Sequence, residues 1–357
     1  LNQRVKRLRE QMFQQDVSYL LITDPKNRFY LSGFTGSTGV LLIGLEECFF
    51  LTDFRYIEQV KEQCPGYKLI KVEQQSLFAS LTQVLKGSKG DTLSFEENHL
   101  TVKEYLELKD MLPGVALQPG SGLVEDLRMI KDSAEIPIIR QAMTIGDKAF
   151  QHILGFIKTG ISEKELALEL EFFMRKQGAS GIAFDTIMAS GPRSALPHGV
   201  ASERKLQRGD FLTMDFGAIY QGYHSDMTRT VVLGESTNKQ DEIYKIVLEA
   251  QLAGLAAVKA GVPAREVDET SRWVITERGY GEYFGHGTGH GVGLAIHERP
   301  RVNTKDDTIL QPGMVITIEP GIYLPDWGGV RIEDSVLVTE QGCEILTSSP
   351  KLELLKL

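Results

Sequence analysis

Four carboxylates and a group of histidines carry the chemistry that this 357-residue chain could perform. Asp215 lies in Phe211–Phe216, whose residues alternate as in a strand, so Thr213 and Asp215 point to one face. After a turn through Tyr220–Gly222, the chain returns with Asp226, Thr228 and Thr230 on one face. A second stretch puts Val315, Thr317 and Glu319 on one face. It turns through Pro325–Gly329 and returns with Arg331, Glu333 and Ser335 on one face. Each hairpin therefore offers two carboxylates. If the hairpins pack by a pseudo-twofold, all four converge. Four free anions cannot share a dry cleft, because their repulsion forces protonation or demands cations. Two divalent metals would neutralise them. A single carboxylate on a hairpin caps a turn or faces water; four placed in otherwise apolar strands argue for a shared site.

Five of the seven histidines, His198, His224, His286, His290 and His297, lie between 198 and 297. Three fall in GHGTGHGVGLAIHE, residues 285–298. Alternating glycines strip side chains from one face, and in extended backbone His286 and His290 share the other. Neutral imidazole is a transition-metal ligand and a proton carrier near neutral pH. His224 and His152 have no such context and read as structural.

These residues need a scaffold. In the first part of the chain, 2–15 reads as an amphipathic helix with Val5, Leu8 and Met12 on one face. Ser18–Thr23, Gly39–Gly44, Cys48–Thr52, Lys68–Val72 and Thr92–Phe95 read as strands, with a turn-rich stretch between the first two. Tyr56–Gln63 and Leu77–Leu85 read as helices. That alternation predicts an α/β domain over 1–125. Beyond it, 126–357 forms a second domain. Ile138, Ala142, Ile145, Ala149 and Ile153 keep helical spacing, and Gly160 is the expected stop. Ser162 and Glu165 form a capping box for a second helix, which Gly178 ends.

An internal repeat follows. Lys158-x-Gly160-Ile161 with Glu165-Leu166 returns 101 residues later as Lys259-x-Gly261-Val262 with Glu266-Val267. Phe172 maps to Trp273 and Gly178 to Gly279. Leu206-Gln207-x-Gly209 returns after 104 as Leu310-Gln311-x-Gly313, which aligns Asp215 with Glu319. The second domain thus reads as two helix–helix–strand–hairpin units.

Composition narrows the function classes. With 39 Lys and Arg against 48 Asp and Glu, the net charge is −9, a poor match to phosphate-backbone binding. Hydrophobic residues at 42% and charged ones at 24% exclude wholesale disorder. No apolar run approaches the ~18 residues of a membrane helix, and the charged start does not read as a signal peptide. Cys48, Cys64 and Cys343 are odd in number and widely spaced, as in a reduced cytoplasmic protein. The glycine stretch lacks the third glycine of G-x-G-x-x-G. There is no Gly-Lys of a Walker loop, no H-E-x-x-H and no G-x-S-x-G.

The ordered set Asp215, Asp226, His290, Glu319 and Glu333 resembles the ligands of the pita-bread metallopeptidases, the family of methionine aminopeptidase, aminopeptidase P and prolidase. So do the strings MDFGAIYQGYHSDMTRT, GHGTGHGVGLAIHE, TIEPGIY and GVRIEDSVLV. NRFYLSGFTGS and FLTDFRY are similar to the N-terminal domain of the proline-specific branch. The resemblance implies a creatinase-like α/β domain followed by an α+β pita-bread domain with an internal pseudo-twofold. It implies that Asp215 chelates one metal, Asp226 and Glu333 bridge two, and His290 and Glu319 hold the second. It implies Glu319 as general base for a metal-activated water, His198 as proton relay and His297 as hydrogen-bond donor to substrate or oxyanion. His286 and, more loosely, Tyr323 fall in the substrate pocket, and Arg331 orients a carboxylate. By resemblance the metals are Mn²⁺; the donor set is compatible with Co²⁺, Zn²⁺ or Fe²⁺. A homodimer through the first domain is implied too.

Substrates of this branch are small peptides with proline in second position, whose tertiary amide lacks the N–H that general peptidases recognise. The leading expectation is aminopeptidase P activity on Xaa-Pro-Yaa, with an Xaa-Pro dipeptidase as the alternative. A metal-free creatinase-type hydrolase and a non-catalytic pita-bread binding module are disfavoured by the intact ligand set.

Overall fold

The computed structural model describes residues 3–72, 77–85, 91–120 and 122–357, divided into two compact units, Leu1–Arg128 and Met129–Leu357. Residue 125, the expected end of the first domain, falls inside the helix Leu123–Met129.

In the first unit the helix Gln3–Gln14 buries Val5, Leu8 and Met12. A six-stranded sheet follows, in the order Lys68–Lys71, Cys48–Thr52, Val40–Gly44, Tyr19–Ile22, Thr92–Phe95, Ala116–Pro119. Its three middle-left strands pair antiparallel and the flanking ones parallel. The expected strands all form. The stretch expected to be turn-rich contains the helix Pro25–Ser32. Its signals are local: Asp24 accepts from the Lys26 and Asn27 amides, Pro25 opens the helix, and Gly33 ends it at φ 76°. The expected helix over 77–85 is shorter, Leu81–Val84.

The second unit repeats. Helices Glu135–Leu154 and Asn238–Ala257 each have 20 residues; Glu163–Lys176 and Ala264–Glu277 each have 14. Each pair is followed by antiparallel strands in matching order. One sheet contains Met227–Val232, Phe211–Phe216 and Ile187–Ser190. The other runs Glu298–Val302, Gly289–Gly291, Val315–Ile318, Asp334–Val338, Cys343–Ile345. In the first repeat, Ile145, Ala149, Ile153, Leu166 and Leu170 pack on Met188, Leu212, Met214 and Phe216 from the strands. At ~1.5–3 kcal/mol per buried large side chain, this apolar layer offsets what a polar site in the same sheet costs. The Ser162–Glu165 capping box forms, and Gly178 follows the helix at φ 102°. The preceding helix ends at Leu154 with Gly155 as cap, not at Gly160. Gly160 takes φ 90° in the turn beyond.

Candidate active site

The expected hairpins are each broken at the carboxylates. Phe211–Phe216 pairs with Met227–Val232, placing Asp215 opposite Thr228, whereas Ala218–Tyr220 pairs with Tyr223–His224 in a different sheet. Asp226 sits in the interruption. In the second repeat Val315–Ile318 pairs with Asp334–Val338 and Gly321–Leu324 with Gly328–Arg331, and Glu319 and Glu333 flank that interruption. Breaking the ladder frees side chains from the pleat and turns them inward. Two glycines allow the close backbone approach this needs. A Cβ on Gly217 would lie 1.9 Å from the Ser225 carbonyl oxygen, and one on Gly289 would lie 1.9 Å from that of Thr317.

Ligand oxygens of Asp215, Asp226 and Glu333 lie within 4.8 Å of one another. His290 Nε2 is 3.5 Å from Asp226 Oδ2 and 3.4 Å from Glu319 Oε1. All five line one cavity of about 520 Å³, together with His198, His286, His297 and Arg331. The structure therefore brings the predicted ligands together. Only Gly289–Gly291 of the glycine-rich segment is a strand; His286 and His297 lie in bends on either side and reach the cavity from loops. Extended backbone is thus not what aligns His286 with His290. His224 is structural, its ring Nδ1 and backbone N–H both directed at the Gly293 carbonyl. His152 stacks on Phe173 and pairs with Glu169.

Arg331 spans the floor. It is 3% exposed and donates to Asp215 Oδ2 (2.6 Å), the Tyr323 hydroxyl (2.8 Å), Thr228 Oγ1 (3.1 Å) and the Pro197 carbonyl (3.2 Å). Tyr323 lies beside the cavity, hydrogen-bonded to His286 Nε2 at 2.8 Å. Thr228 donates to Glu333 Oε2 at 2.6 Å and Thr317 to Glu319 Oε1 at 3.1 Å, so each faces a carboxylate on its strand surface.

The electrostatics are those of a crowded anionic pit. Burial, then the charges of Glu333, Asp215 and Glu319, push the Asp226 carboxyl well up. Burial, then Glu319 and Asp215, do the same to Glu333. Glu319 is pushed up to about 7, burial outweighing the pull of Arg331. Burial holds His290 down to about 3 and His286 to about 4, so both rings are neutral. Asp215 Oδ1 and Glu333 Oε1 are buried and accept no hydrogen bond from the described residues. Buried, unpartnered carboxylate oxygens beside a neutral imidazole form a donor set for divalent cations, and the residues fit a dinuclear metal.

Several cavity residues had not been singled out from sequence: Phe184, Asp185, Ile187, Ile296, Arg301 and Asn303. Apart from Ile296, which lies in the glycine-rich string, they enter from segments with no motif of their own. Arg301, four residues after His297, carried a usable signal: a cation in the histidine segment.

Residues 137–340 match the family model of metallopeptidase family M24, and residues 4–130 match that of the creatinase/prolidase N-terminal domain. The chain belongs to metallopeptidase family M24 and has the pita-bread fold with a creatinase-like N-terminal domain. An Xaa-Pro dipeptidase of Pyrococcus horikoshii is 42% identical over 98% of both chains. Among solved structures, an Xaa-Pro dipeptidase from Bacillus anthracis matches with a TM-score of 0.96 at 50% identity, covering 99% of each chain. An X-Pro aminopeptidase from Thermotoga maritima matches at 0.89 and 40%, covering 96% of this chain and 98% of that one.

Proposed function

We propose that this protein is an Xaa-Pro dipeptidase: a dinuclear-metal exopeptidase that hydrolyses the bond between an N-terminal residue and a C-terminal proline. The carrying observation is the cluster of Asp215, Asp226, His290, Glu319 and Glu333 in one cavity of a chain so similar to proteins bearing that name. This choice departs from the leading expectation from sequence, aminopeptidase P, in favour of its alternative. Arg301 supports it. Its side chain lines the cavity and forms no ion pair among the described residues. In a dipeptide the proline carboxylate lies one residue from the scissile bond, within reach of such a cation; in Xaa-Pro-Yaa an uncharged amide takes its place.

Asp215, Asp226 and Glu333 would hold one ion and share two of these ligands with a second, held by His290 and Glu319. We favour Mn²⁺. Bound there, the ions acidify a water and polarise the scissile carbonyl. Glu319 takes the proton from the attacking water and passes it toward the proline nitrogen. Arg331 fixes Asp215 and Tyr323, and Tyr323 fixes His286, which stays neutral as a hydrogen-bonding wall of the substrate pocket. His198 relays protons, and His297, whose ring meets that of His290 edge-on at 4.3 Å, hydrogen-bonds the substrate or the developing oxyanion. We further propose a cytoplasmic homodimer associating through the N-terminal domain. All three cysteines are free, and no helix among the described residues is long and apolar enough to cross a membrane.

The test is metal removal, readdition of Mn²⁺, and assay of Xaa-Pro, Xaa-Pro-Yaa and Xaa-Ala peptides. Metal-dependent hydrolysis of the Xaa-Pro dipeptide alone is expected. Release of the first residue from the tripeptide would instead make the protein an aminopeptidase, and cleavage of no proline peptide by metal-loaded protein would overturn both readings.

A further inference from the structure

Each repeat contains a buried acid–arginine pair outside the carboxylate cluster. In the first, Glu163 opens the helix Glu163–Lys176 with its side chain fully buried. It accepts from Ser190 N–H and Oγ, both at 2.7 Å, and from Ser202 N–H (3.0 Å) and Oγ (2.6 Å), and it pairs with Arg193. Arg193 also donates to the Val200 carbonyl at 2.9 Å. These bonds close segment 190–202 on itself, and that segment carries His198.

In the second repeat Asp268, on the helix Ala264–Glu277, is fully buried as well. It accepts from Thr288 N–H (2.9 Å) and Oγ1 (2.8 Å) and takes two bonds from Arg272, both at 2.9 Å. Arg272 goes on to donate to the Phe284 carbonyl at 2.9 Å and the His286 carbonyl at 2.7 Å. Segment 284–288, which carries His286, is closed in its turn. The Thr288 carbonyl then accepts from the Glu319 amide at 2.7 Å.

The two acids do not occupy equivalent positions. Glu163 begins its helix, while Asp268 is one turn inside the matching one. The pairs are therefore not a by-product of the repeat, because each sits where its own loop returns to the helix. Burying a carboxylate is costly unless it is fully hydrogen-bonded, and both of these are. Such bonding over-determines the loops they grip.

We propose that Glu163–Arg193 and Asp268–Arg272 are positioning pairs, each fixing one histidine-bearing loop at the cavity: the first serves His198 and the second His286. The activity arm of the test rests on the hydrolytic reading of the site; the structural arm does not. Arginine forks across several acceptors in fixed geometry, whereas lysine is a point charge. Arg193→Lys and Arg272→Lys thus keep a positive charge beside the buried acid and lose the reach to the loop carbonyls. Thr288→Val removes one bond to Asp268 with little change of shape and is the milder variant of the second pair.

Peptide-resolved hydrogen–deuterium exchange of the metal-loaded protein is the first readout. Arg193→Lys should speed exchange over 190–202 and leave 284–288 unchanged; Arg272→Lys and Thr288→Val should do the reverse. Bound metal, counted by elemental analysis, should match wild type. On an Xaa-Pro dipeptide, kcat/KM should fall roughly 10- to 100-fold for the lysine variants, as for a misplacement near 1 Å. In a His198→Ala background Arg193→Lys should add less than about twofold, and Arg272→Lys likewise in His286→Ala, because a residue acting through a histidine has nothing left to position. Exchange that rises throughout the second unit, loss of metal, or an undiminished effect in the alanine backgrounds would overturn the proposal. Wild type inactive on every proline peptide would instead remove the functional reading, and the exchange pattern would still decide the braces.

Discussion

Glu319 has the most exposed side chain of the four carboxylates, 17% against 12% for Asp215 and 6% for Asp226, with Glu333 buried. Among the described residues its side chain accepts a hydrogen bond from Thr317, and in the metal-free protein burial pushes it up to about 7. A carboxylate at the edge of the cavity can take a proton and release it within one turnover. Glu319→Gln should lower kcat by about 10²–10⁴-fold while circular dichroism and thermal unfolding stay near wild type. Wild-type turnover would remove Glu319 from the chemistry. Arg331 is the counterweight. Arg331→Met leaves Asp215 buried beside three other acids, and the metal-free variant should lose ~3–5 kcal/mol in urea unfolding. A loss below about 1 kcal/mol would mean that the ion pair contributes little. At this scale the sequence was legible wherever a side chain belonged to a motif: the five clustered residues, His198, His286, His297, Arg331. Glu163, Arg193, Asp268 and Arg272 were not, because their partners are loop amides and carbonyls that no spacing rule connects to them.

The strand interruptions are the elements' main contribution to the site. Alternation pointed to the strands that lead into the carboxylates, but it implied an unbroken hairpin that would hold Asp226 and Glu333 within a regular ladder, whereas both lie in the interruptions. The break itself left no hydrophobic signature, since polar residues fit the alternation equally well. Gly217 and Gly289 mark it in retrospect, as positions where another backbone passes too close for a side chain. Gly289→Ala should therefore do more than cost the ~1–3 kcal/mol of ordinary overpacking. Its Cβ meets the Thr317 carbonyl, next to the Thr317 hydroxyl that receives the His290 amide and donates to Glu319, so the shift acts on His290 and Glu319 together. Calorimetric titration of metal into the folded variant should reveal weakened binding; wild-type affinity would place the strain elsewhere. Helices were read well where an apolar stripe or a capping box was present, as at Ser162. The helix Pro25–Ser32 escaped because its stripe is weak and its evidence lies at its ends, in Asp24, Pro25 and Gly33.

Across the whole molecule, the repeat gave the second unit's organisation, because equal helix lengths and matching strand order leave a sequence trace. The strand order of the N-terminal sheet did not, since nothing local dictates which strands pair across long separations. The doubled architecture also concentrates acids from both halves at one point, and stability must register that. In the metal-free protein Asp226 and Glu333 are held above the ordinary carboxylate range and Glu319 near 7, whereas in the unfolded chain such groups titrate at ~4. Above pH ~6.5 the folded state therefore binds more protons than the unfolded one, and its stability falls as pH rises through the folded values. His286 and His290, held at about 4 and about 3, act in the opposite sense, chiefly below ~7.5, where the unfolded chain's imidazoles begin to protonate. Urea unfolding at about pH 7.5 and about pH 8.5, where these imidazoles are almost entirely neutral in both states, thus leaves the carboxylates as the larger contribution. The metal-free protein should be less stable at the higher pH, and the Mn²⁺-loaded protein should lose little or nothing, because divalent charge replaces the protons that the cluster otherwise requires. Metal-free protein that gains stability over this interval would show that the acids are ionised and balanced without metal, and the reading of the cluster as a cation site would fall with it.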